Sequence, residues 1–313
     1  MNQIVSRRRF LGSVSAMGMA ACAGGMLSCG AQTQFGPKKP KEHKLSSNLA
    51  IVHGEDPGKM VEAALETLGG MDKLVQPGDI VVVKPNIAWD RLPEQAATTN
   101  PAVVAAVIGL CRKAGAKEVR VFDRTCNDAR RSYDSSGIAK AAEEAGASVS
   151  YALDRKFRPI SIPRGLSMKE WPIYEDAAKA DVLINIPIAK HHGISRITLG
   201  LKNMMGVAGG ERGKWHPEIH QRLADLATVT AVDLTVVDAY RILTNRGPAS
   251  GTDADIKQEG LLVAGIDPVA VDAYCATVFG IEPHEVGFIR SASELGLGEM
   301  DLSKVKQQKV DLV

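Results

Sequence analysis

Two lysines, two histidines and two asparagines fall between residues 185 and 203 of this chain. The stretch starts within the apolar run 182–187, continues through Lys190-His191-His192, and ends at Lys202-Asn203. Loops at the carboxyl ends of strands form the ligand crevice of an open α/β sheet. Such a density of hydrogen-bond donors after a predicted strand indicates a binding or catalytic site. A solvated basic loop is the alternative.

The chemistry available to these side chains is recognition of an anion, followed by proton transfer. Lysine ammonium groups neutralise phosphate or carboxylate, and asparagine side chains fix the orientation of a ligand. Imidazole exchanges protons near neutral pH, which makes His191 or His216 a candidate acid or base. Developing negative charge would be stabilised by basic residues in a cleft that excludes water.

Polar residues also follow other apolar runs, where predicted strands end. Lys84 and Asn86 end one run, and Asp123, Asp238 and Asp267 follow others. The carboxyl ends of parallel strands meet at one edge of a sheet, so these side chains can converge on a single crevice. Aspartate is also common after strands as a turn former and helix cap, so each residue alone permits both interpretations.

The segment 98–101, Thr-Thr-Asn-Pro, precedes a predicted helix. The unpaired N–H groups and the dipole of a helix N-terminus favour an anion, which makes Thr99 and Asn100 candidate ligand contacts. An ordinary cap formed by Asn100 is the alternative.

The predicted site residues fall into two groups. The predicted catalytic residues are Lys190, His191 and His216. The predicted ligand-binding or cofactor-binding residues are Lys84, Asn86, Thr99, Asn100, Asn185, Lys202 and Asn203.

His216 follows a basic, glycine-rich stretch, residues 206–214, that could close over a ligand as a lid. His216 and His220 are four residues apart, but Pro217 places His216 at a helix start and the zincin pattern is absent. Asp267 and Asp272 could hold a cation, although capping is sufficient to explain Asp267. A metal-dependent hydrolase using His191, His216 and Asp272 is therefore a further hypothesis, and metal binding is left open.

From residue 49 onward, strand and helix patterns alternate. The predicted strands are 49–53, 79–84, 117–123, 148–153, 159–162, 181–186, 234–238 and 259–264. The predicted helices are 57–68, 101–114, 135–145, 217–231 and 268–279. This rhythm predicts an α/β fold with a Rossmann-like, doubly wound, mostly parallel sheet, and with two lobes around a cleft in one continuous domain.

Composition narrows the class of protein. The chain has 313 residues, 45% of them hydrophobic and 24% charged, with a formal net charge of +2. These values are typical of an ordinary soluble protein. Aromatic residues make up only 4%, so a nucleic-acid partner is not expected. Cys111, Cys126 and Cys275 are scattered without a Cys-x-x-Cys pair, so no iron–sulfur cluster is expected.

The N-terminus reads as an export signal. Ser6-Arg7-Arg8-Arg9-Phe10-Leu11 is a twin-arginine signature, followed by a weakly apolar stretch. It predicts a signal peptide over 1–31, recognition by the twin-arginine translocase, and a periplasmic or membrane-anchored location. Cys22 and Cys29 lie in imperfect lipoprotein boxes and are candidate membrane tethers. Residues 32–48 are predicted to be a basic Pro/Lys linker, and 49–303 the α/β domain.

Seven motifs, taken in order, resemble the DUF362 family. They are Val83-Lys84-Pro85-Asn86, Thr98-Thr99-Asn100-Pro101, Asn185-Ile186-Pro187 with Lys190-His191, Leu201-Lys202-Asn203 with Gly206, His216, Gly247-Pro248 with Gly251, and Asp267-Pro268-Val269-Ala270 with Asp272. The resemblance covers about residues 49 to 300 and implies no particular activity. Many family members carry ferredoxin-type modules, which this sequence lacks. A more distant likeness is to the nickel-pincer lactate racemases, without a shared motif.

These observations predict an exported protein that binds an anionic small molecule or cofactor in a cleft lined by Lys, His and Asn, with proton-transfer chemistry on it. The cofactor is unknown, and so is the oligomeric state. The alternative is a periplasmic binding or accessory protein, without turnover, for a redox or cofactor-maturation system.

Overall fold

A computed structural model describes residues 36–46 and 49–312. The strands in these ranges are β1 (Leu49–His53), β2 (Ile80–Pro85), β3 (Glu118–Val121), β4 (Ser148–Val149), β5 (Phe157–Ser161), β6 (Glu170–Tyr174), β7 (Val182–Ile186), β8 (Ile188–His192), β9 (Arg196–Thr198), β10 (Leu234–Leu243), β11 (Ile256–Gly265) and β12 (Gln307–Asp311). The helices are α1 (Pro57–Thr67), α2 (Pro101–Lys113), α3 (Ala129–Ser135), α4 (Ile138–Glu144), α5 (Glu175–Lys179), α6 (Gly200–Asn203), α7 (Ile219–Thr230), α8 (Pro268–Val278) and α9 (Gly287–Glu294).

The main sheet has the strand order β12-β1-β11-β10-β7-β2-β3-β4, with β8 and β9 attached beside β10. The series β10, β7, β2, β3, β4 is parallel throughout, whereas β11 runs antiparallel to both β1 and β10. The predicted α/β fold with a mostly parallel sheet is therefore confirmed. The described residues belong to one compact unit, and the main sheet runs through it.

Apolar side chains cover both faces of this sheet. Val81 and Val83 pack in the core that contains α1, α2 and α4, whereas Val82 packs in the core that contains α7, α8 and α9. Successive side chains of a strand point to opposite faces, so a strand buried on both faces must be apolar at every position. The continuous apolar runs of the sequence are the consequence of this doubly wound arrangement.

The helix boundaries follow the capping signals of the sequence. Asn100 caps α2, its side chain accepting a hydrogen bond from the Ala102 N–H at 3.0 Å. Asp267 caps α8 by accepting from the N–H groups of Val269 and Ala270. A side-chain acceptor at this position satisfies one or two of the N–H groups that a helix start leaves unpaired.

The stretch from Ile188 to His192 is a strand, and the prediction that it is a loop is wrong. This strand, β8, pairs in parallel with β10 and forms an antiparallel hairpin with β9. The reason lies in the length of β10, which pairs with β7 only through Leu234 and Thr235 and then continues to Leu243. Its free edge beyond β7 is covered by β8.

Other differences are smaller. The predicted helix 135–145 corresponds to α4, which begins at Ile138 after Gly137, whose φ of 68° is left-handed; α3, which precedes Gly137, was not predicted. The strand predicted over 148–153 ends at Val149, and the strand predicted over 159–162 corresponds to β5; β6, α5, α6 and α9 were not predicted. The fold also continues past residue 303, because β12 adds to the sheet beside β1.

The described part of the predicted linker, residues 36–46, has no helix or strand but is anchored to the domain. The Lys38 ammonium lies 2.7 Å from the Asp233 carboxylate, and both side chains are nearly inaccessible to solvent. Asp233 also accepts from the N–H groups of Lys41 and Leu183, at 2.9 and 2.7 Å. One buried carboxylate thus joins this segment to β7.

The predicted signal peptide, residues 1–31, lies outside the described residues, and so do Cys22 and Cys29. Within the described ranges, no helix combines the length and apolar character that a membrane span needs.

Replacing Asp233 with alanine should lower the free energy of unfolding by about 3 kcal/mol, because it leaves a buried ammonium and two N–H groups without their acceptor. The matched control is Asp72→Ala, since Asp72 is 63% exposed in its ion pair with Lys73. It should change stability by less than about 0.5 kcal/mol. Urea unfolding measures both, and equal losses would contradict a structural role for the buried pair.

Candidate functional site

A buried ion pair lies at the carboxyl ends of β2 and β3. The Lys84 ammonium is 2.8 Å from the Asp123 carboxylate, and each side chain is 1% exposed. The strands are parallel neighbours, with Val83 beside Val121, so the residues that follow them are brought together. Lys84 also donates to the Asn203 side chain and to the Pro85 carbonyl, at 2.9 and 2.8 Å. Burial lowers the pKa of Lys84, and the Asp123 charge opposes that shift.

A chain of three asparagines extends from this pair. The Asn185 amide nitrogen donates to the Gly200 carbonyl at 2.9 Å, and the Asn203 amide nitrogen donates to Asn185 Oδ1 at 2.8 Å. Asn203 Oδ1 in turn accepts from the Asn86 amide nitrogen at 2.9 Å. These bonds tie the ends of β2 and β7 to the short helix α6.

A cleft of about 610 Å³ opens beside this network. It brings together six predicted site residues: Lys84, Asn86, Lys190, Lys202, Asn203 and His216. Its described lining also includes Arg124 and Arg212, while Asp123 is the single carboxylate there. Five lysine and arginine side chains thus line the cleft with one carboxylate, so the cleft carries an excess of positive charge when the lysines are protonated.

Lys190 and Lys202 have no carboxylate partner among the described residues. Lys190 is 1% exposed, and its ammonium donates to the Ala97 carbonyl at 2.5 Å. The Lys202 ammonium lies 3.3 Å from the Met205 sulfur. Burial lowers the pKa of Lys190 to about 7, with the Lys202 charge adding to the shift. Burial likewise lowers the pKa of Lys202 to about 8.

The glycine-rich stretch predicted as a lid lies directly over the ion pair. A Cβ atom on Gly206 would come within 1.9 Å of Asp123 Oδ1 and 2.6 Å of the Lys84 ammonium, so only glycine fits there. Arg124 donates to the carbonyl groups of Ala208 and Gly210. Arg212 donates to the carbonyl groups of Arg124, Thr125 and Met205. These bonds hold the stretch against the loop that follows β3.

His192 lines the cleft, whereas His191, predicted to be catalytic, does not. On a strand, Lys190 and His192 share one face and His191 points to the other. His191 Nδ1 accepts from the Gly247 N–H at 3.1 Å. His192 Nδ1 accepts from the N–H groups that follow it in the turn, which assigns its proton to Nε2. Burial and the Lys202 charge lower the pKa of His192 to about 3, so this ring is neutral.

Thr99, Asn100 and Asn185, predicted as ligand contacts, also lie outside the lining of the cleft. The Thr99 hydroxyl accepts from the Asn86 N–H and donates to the Ile186 carbonyl, so it joins β2 to β7. The Asn100 N–H donates to the Asp238 carboxylate at 2.7 Å. This buried carboxylate, whose pKa burial raises to about 6, occupies the predicted anion position at the start of α2.

The three residues of the metal hypothesis are not assembled into a site. The Asp272 carboxylate accepts from the N–H groups of Gly200 and Leu201, at 2.7 and 2.9 Å, and does not line the cleft. Burial raises its pKa to about 7. Among residues 36–46 and 49–312, no cluster of three or more His, Cys, Asp or Glu side chains has a spacing suited to a metal ion.

Arg124, Cys126 and Thr198 line the cleft and were not among the predicted site residues. The sequence contained a signal for Arg124 and Cys126, because both residues follow a predicted strand, β3, in the same way that Asn86 follows β2. Thr198 could be predicted as a lining residue only from the β8–β9 register, in which it lies opposite Lys190.

The fold and the site define an α/β protein with a cation-lined cleft at the carboxyl edge of its sheet. Residues 81–277 match the family described as a domain of unknown function, DUF362, and the chain belongs to this family. A thylakoid-associated protein of Synechocystis sp. is 30% identical over 241 residues, which cover 74% of this chain and 73% of that protein.

Two solved structures are also similar. The lactate racemase apoprotein from Thermoanaerobacterium thermosaccharolyticum has a TM-score of 0.47 and 13% identity, covering 73% of this chain. A structural-genomics protein from Thermotoga maritima has a TM-score of 0.40 and 10% identity, covering 77% of this chain. The chain spans 56% and 60% of the lengths of these two proteins.

Iodoacetamide should alkylate Cys126 in the folded protein and spare Cys111 and Cys275. Cys126 is exposed in the cleft, whereas the other two thiols are buried and burial raises their pKa, which disfavours the reactive thiolate. Peptide mass spectrometry measures the labelling, with guanidinium-unfolded protein as the control in which all three react. Comparable labelling of Cys111 in the native protein would contradict the described packing.

Proposed function

We propose that this protein binds a small anion, a carboxylate or a phosphate, in the cleft. The observation that carries the proposal is the pair of lysines, Lys190 and Lys202, which face the cleft without a carboxylate partner among the described residues. A buried ammonium without a counter-charge is unfavourable, and a bound anion would supply that charge. Lys84 differs, because Asp123 already neutralises it.

We infer further that a lysine in this cleft transfers a proton to or from the bound molecule. General acid–base catalysis is most efficient when the pKa of the catalytic group lies near the working pH. The lowered pKa values of Lys190 and Lys202, about 7 and about 8, meet this condition. His216, exposed at the rim, is the second candidate for proton exchange, and the neutral His192 ring offers its Nε2–H as a donor.

A binding or accessory role without turnover remains the alternative, and it is favoured by the absence of a nucleophile paired with a base among the described lining residues. The two functions differ in one outcome. A catalyst converts or racemises the bound anion, or exchanges its C–H hydrogen with solvent, whereas a binding protein returns the anion unchanged.

We also propose export through the twin-arginine pathway, with Cys22 or Cys29 as the candidate site of a lipid anchor. The support is the Ser6–Leu11 signature, which lies outside the described residues. The Synechocystis relative, described as thylakoid-associated, is compatible with a location at a membrane.

Sulfate is a suitable probe of the anion site because it stays doubly charged across the relevant pH range. Its affinity should fall as pH rises from about 6 to about 9, since Lys190 and Lys202 lose their protons there. Lys190→Met and Lys202→Met should each weaken sulfate binding by about tenfold or more. Isothermal titration calorimetry measures these affinities.

The matched control is Lys140→Met, since this lysine is 81% exposed on α4 and does not line the cleft. Its affinity for sulfate should equal that of the unaltered protein. An affinity that is independent of pH, and unchanged in both cleft variants, would refute the anion site.

For export, the double substitution Arg7→Lys and Arg8→Lys should retain the protein in the cytoplasm, because the translocase reads an arginine pair as an address. Arg9→Lys is the control, since it leaves Arg7-Arg8 intact. Cell fractionation of a bacterium with a twin-arginine translocase measures the distribution. Equal export of both variants would show that another signal is used.

A further inference from the structure

Two buried polar atoms of the cleft lining have neither a hydrogen-bond partner nor an ion-pair partner among the described residues. They are Oδ1 of Asn86 and Oγ1 of Thr198, in side chains that are 5% and 3% exposed as residues. Most buried polar atoms in proteins are hydrogen-bonded, so an unpartnered one in a binding cleft points to a ligand atom. The two atoms differ in capacity, because an amide oxygen only accepts whereas a hydroxyl also donates.

The orientation of the Asn86 amide follows from groups at the two ends of the asparagine chain. The Gly200 carbonyl can only accept, so Asn185 must present its nitrogen there and its oxygen to Asn203. The Lys84 ammonium can only donate, so Asn203 must present its oxygen to Lys84. Both ends therefore require the same orientation of Asn203.

Asn203 Oδ1 consequently faces Asn86, and Asn86 must donate its amide N–H to this oxygen. The reverse orientation would set two oxygens against each other. The backbone of Asn86 is also held, because its N–H donates to the Thr99 hydroxyl and its carbonyl accepts from the Thr99 N–H. Oδ1 of Asn86 is therefore a fixed acceptor at the cleft.

Thr198 completes a different subsite. It lies directly opposite Lys190 in the antiparallel β8–β9 hairpin, so the two side chains stand on the same face. A hydroxyl donor beside an ammonium group is suited to an anionic oxygen. The cleft thus contains an anion position at Lys190 and Thr198 and an acceptor position at Asn86.

We propose that the ligand is a hydroxylated anion, whose charged group binds at Lys190 and Thr198 and whose hydroxyl donates to Asn86 Oδ1. A hydroxyl fits better than an ammonium group, because the cleft lining carries more basic than acidic side chains and therefore repels a cation. This inference rests on the proposed anion binding and adds a second recognition element to it. The charged group is a phosphate or a carboxylate.

The test compares pairs of ligands that differ by hydroxyl groups, in the unaltered full-length protein. The phosphate pair is glycerol 3-phosphate and propyl phosphate, and the carboxylate pair is glycolate and acetate. For the charged group that the cleft accepts, the hydroxylated member should bind about tenfold more tightly. Calorimetry measures the affinities, and the better-bound pair identifies the charged group.

Asn86→Leu should abolish this preference, whereas Asn245→Leu should retain it, since Asn245 is exposed and does not line the cleft. If sulfate and all four ligands fail to bind, the proposed function itself is refuted. If the anions bind but each pair binds equally, only the hydroxyl inference is refuted. A preference that persists in Asn86→Leu would refute the assignment to Asn86. The comparison in the unaltered protein decides the matter even if that variant does not fold.

Discussion

The Lys84–Asp123 ion pair is the interaction on which the architecture of the cleft depends. Both charges are removed from water, so each must keep its partner and its further hydrogen bonds. Asp123 Oδ2 accepts from the Ile87 N–H at 2.8 Å, which fixes the chain that leaves β2. Lys84 donates a hydrogen bond to Asn203 and so holds the end of α6. Gly206 packs against the pair because no Cβ atom can be placed there.

The same network defines a direction for its hydrogen bonds. Asp272, on α8, receives the N–H groups at the start of α6, and the Gly200 carbonyl receives the amide of Asn185. The Asn203 amide nitrogen donates to Asn185, and the Asn86 amide nitrogen, at the cleft, donates to Asn203. A buried aspartate far from solvent thereby helps to determine which atom of an asparagine meets the ligand. Positions such as Asn185 and Asp272 act on the ligand only through other residues.

Lys190 and Lys202, unlike Lys84, have no carboxylate partner among the described residues. Lys84 has a carboxylate and two further acceptors, whereas Lys190 has one carbonyl and Lys202 a thioether sulfur. Burial without a counter-charge destabilises the protonated form of both groups, which is why their pKa values fall toward neutrality. Strongly shifted lysines in a cleft are characteristic of functional sites, and here they coincide with the unpartnered Asn86 and Thr198 atoms.

The sequence by itself determined the sheet and much of the site. Strands buried on both faces must be apolar throughout, and the residues that end them, such as Lys84 and Asn86, must lie at one edge of a parallel sheet. Only the tertiary structure decided between His191 and His192. That choice depends on whether residues 188–192 form a strand, and they do so because β10 extends beyond β7 and leaves an edge to be paired. The roles of Thr99 and Asn100 were decided in the same way, since their partners at Ile186 and Asp238 belong to strands distant in the sequence. Local patterns specify which residues can do chemistry, and long-range strand pairing specifies which of them face the cleft.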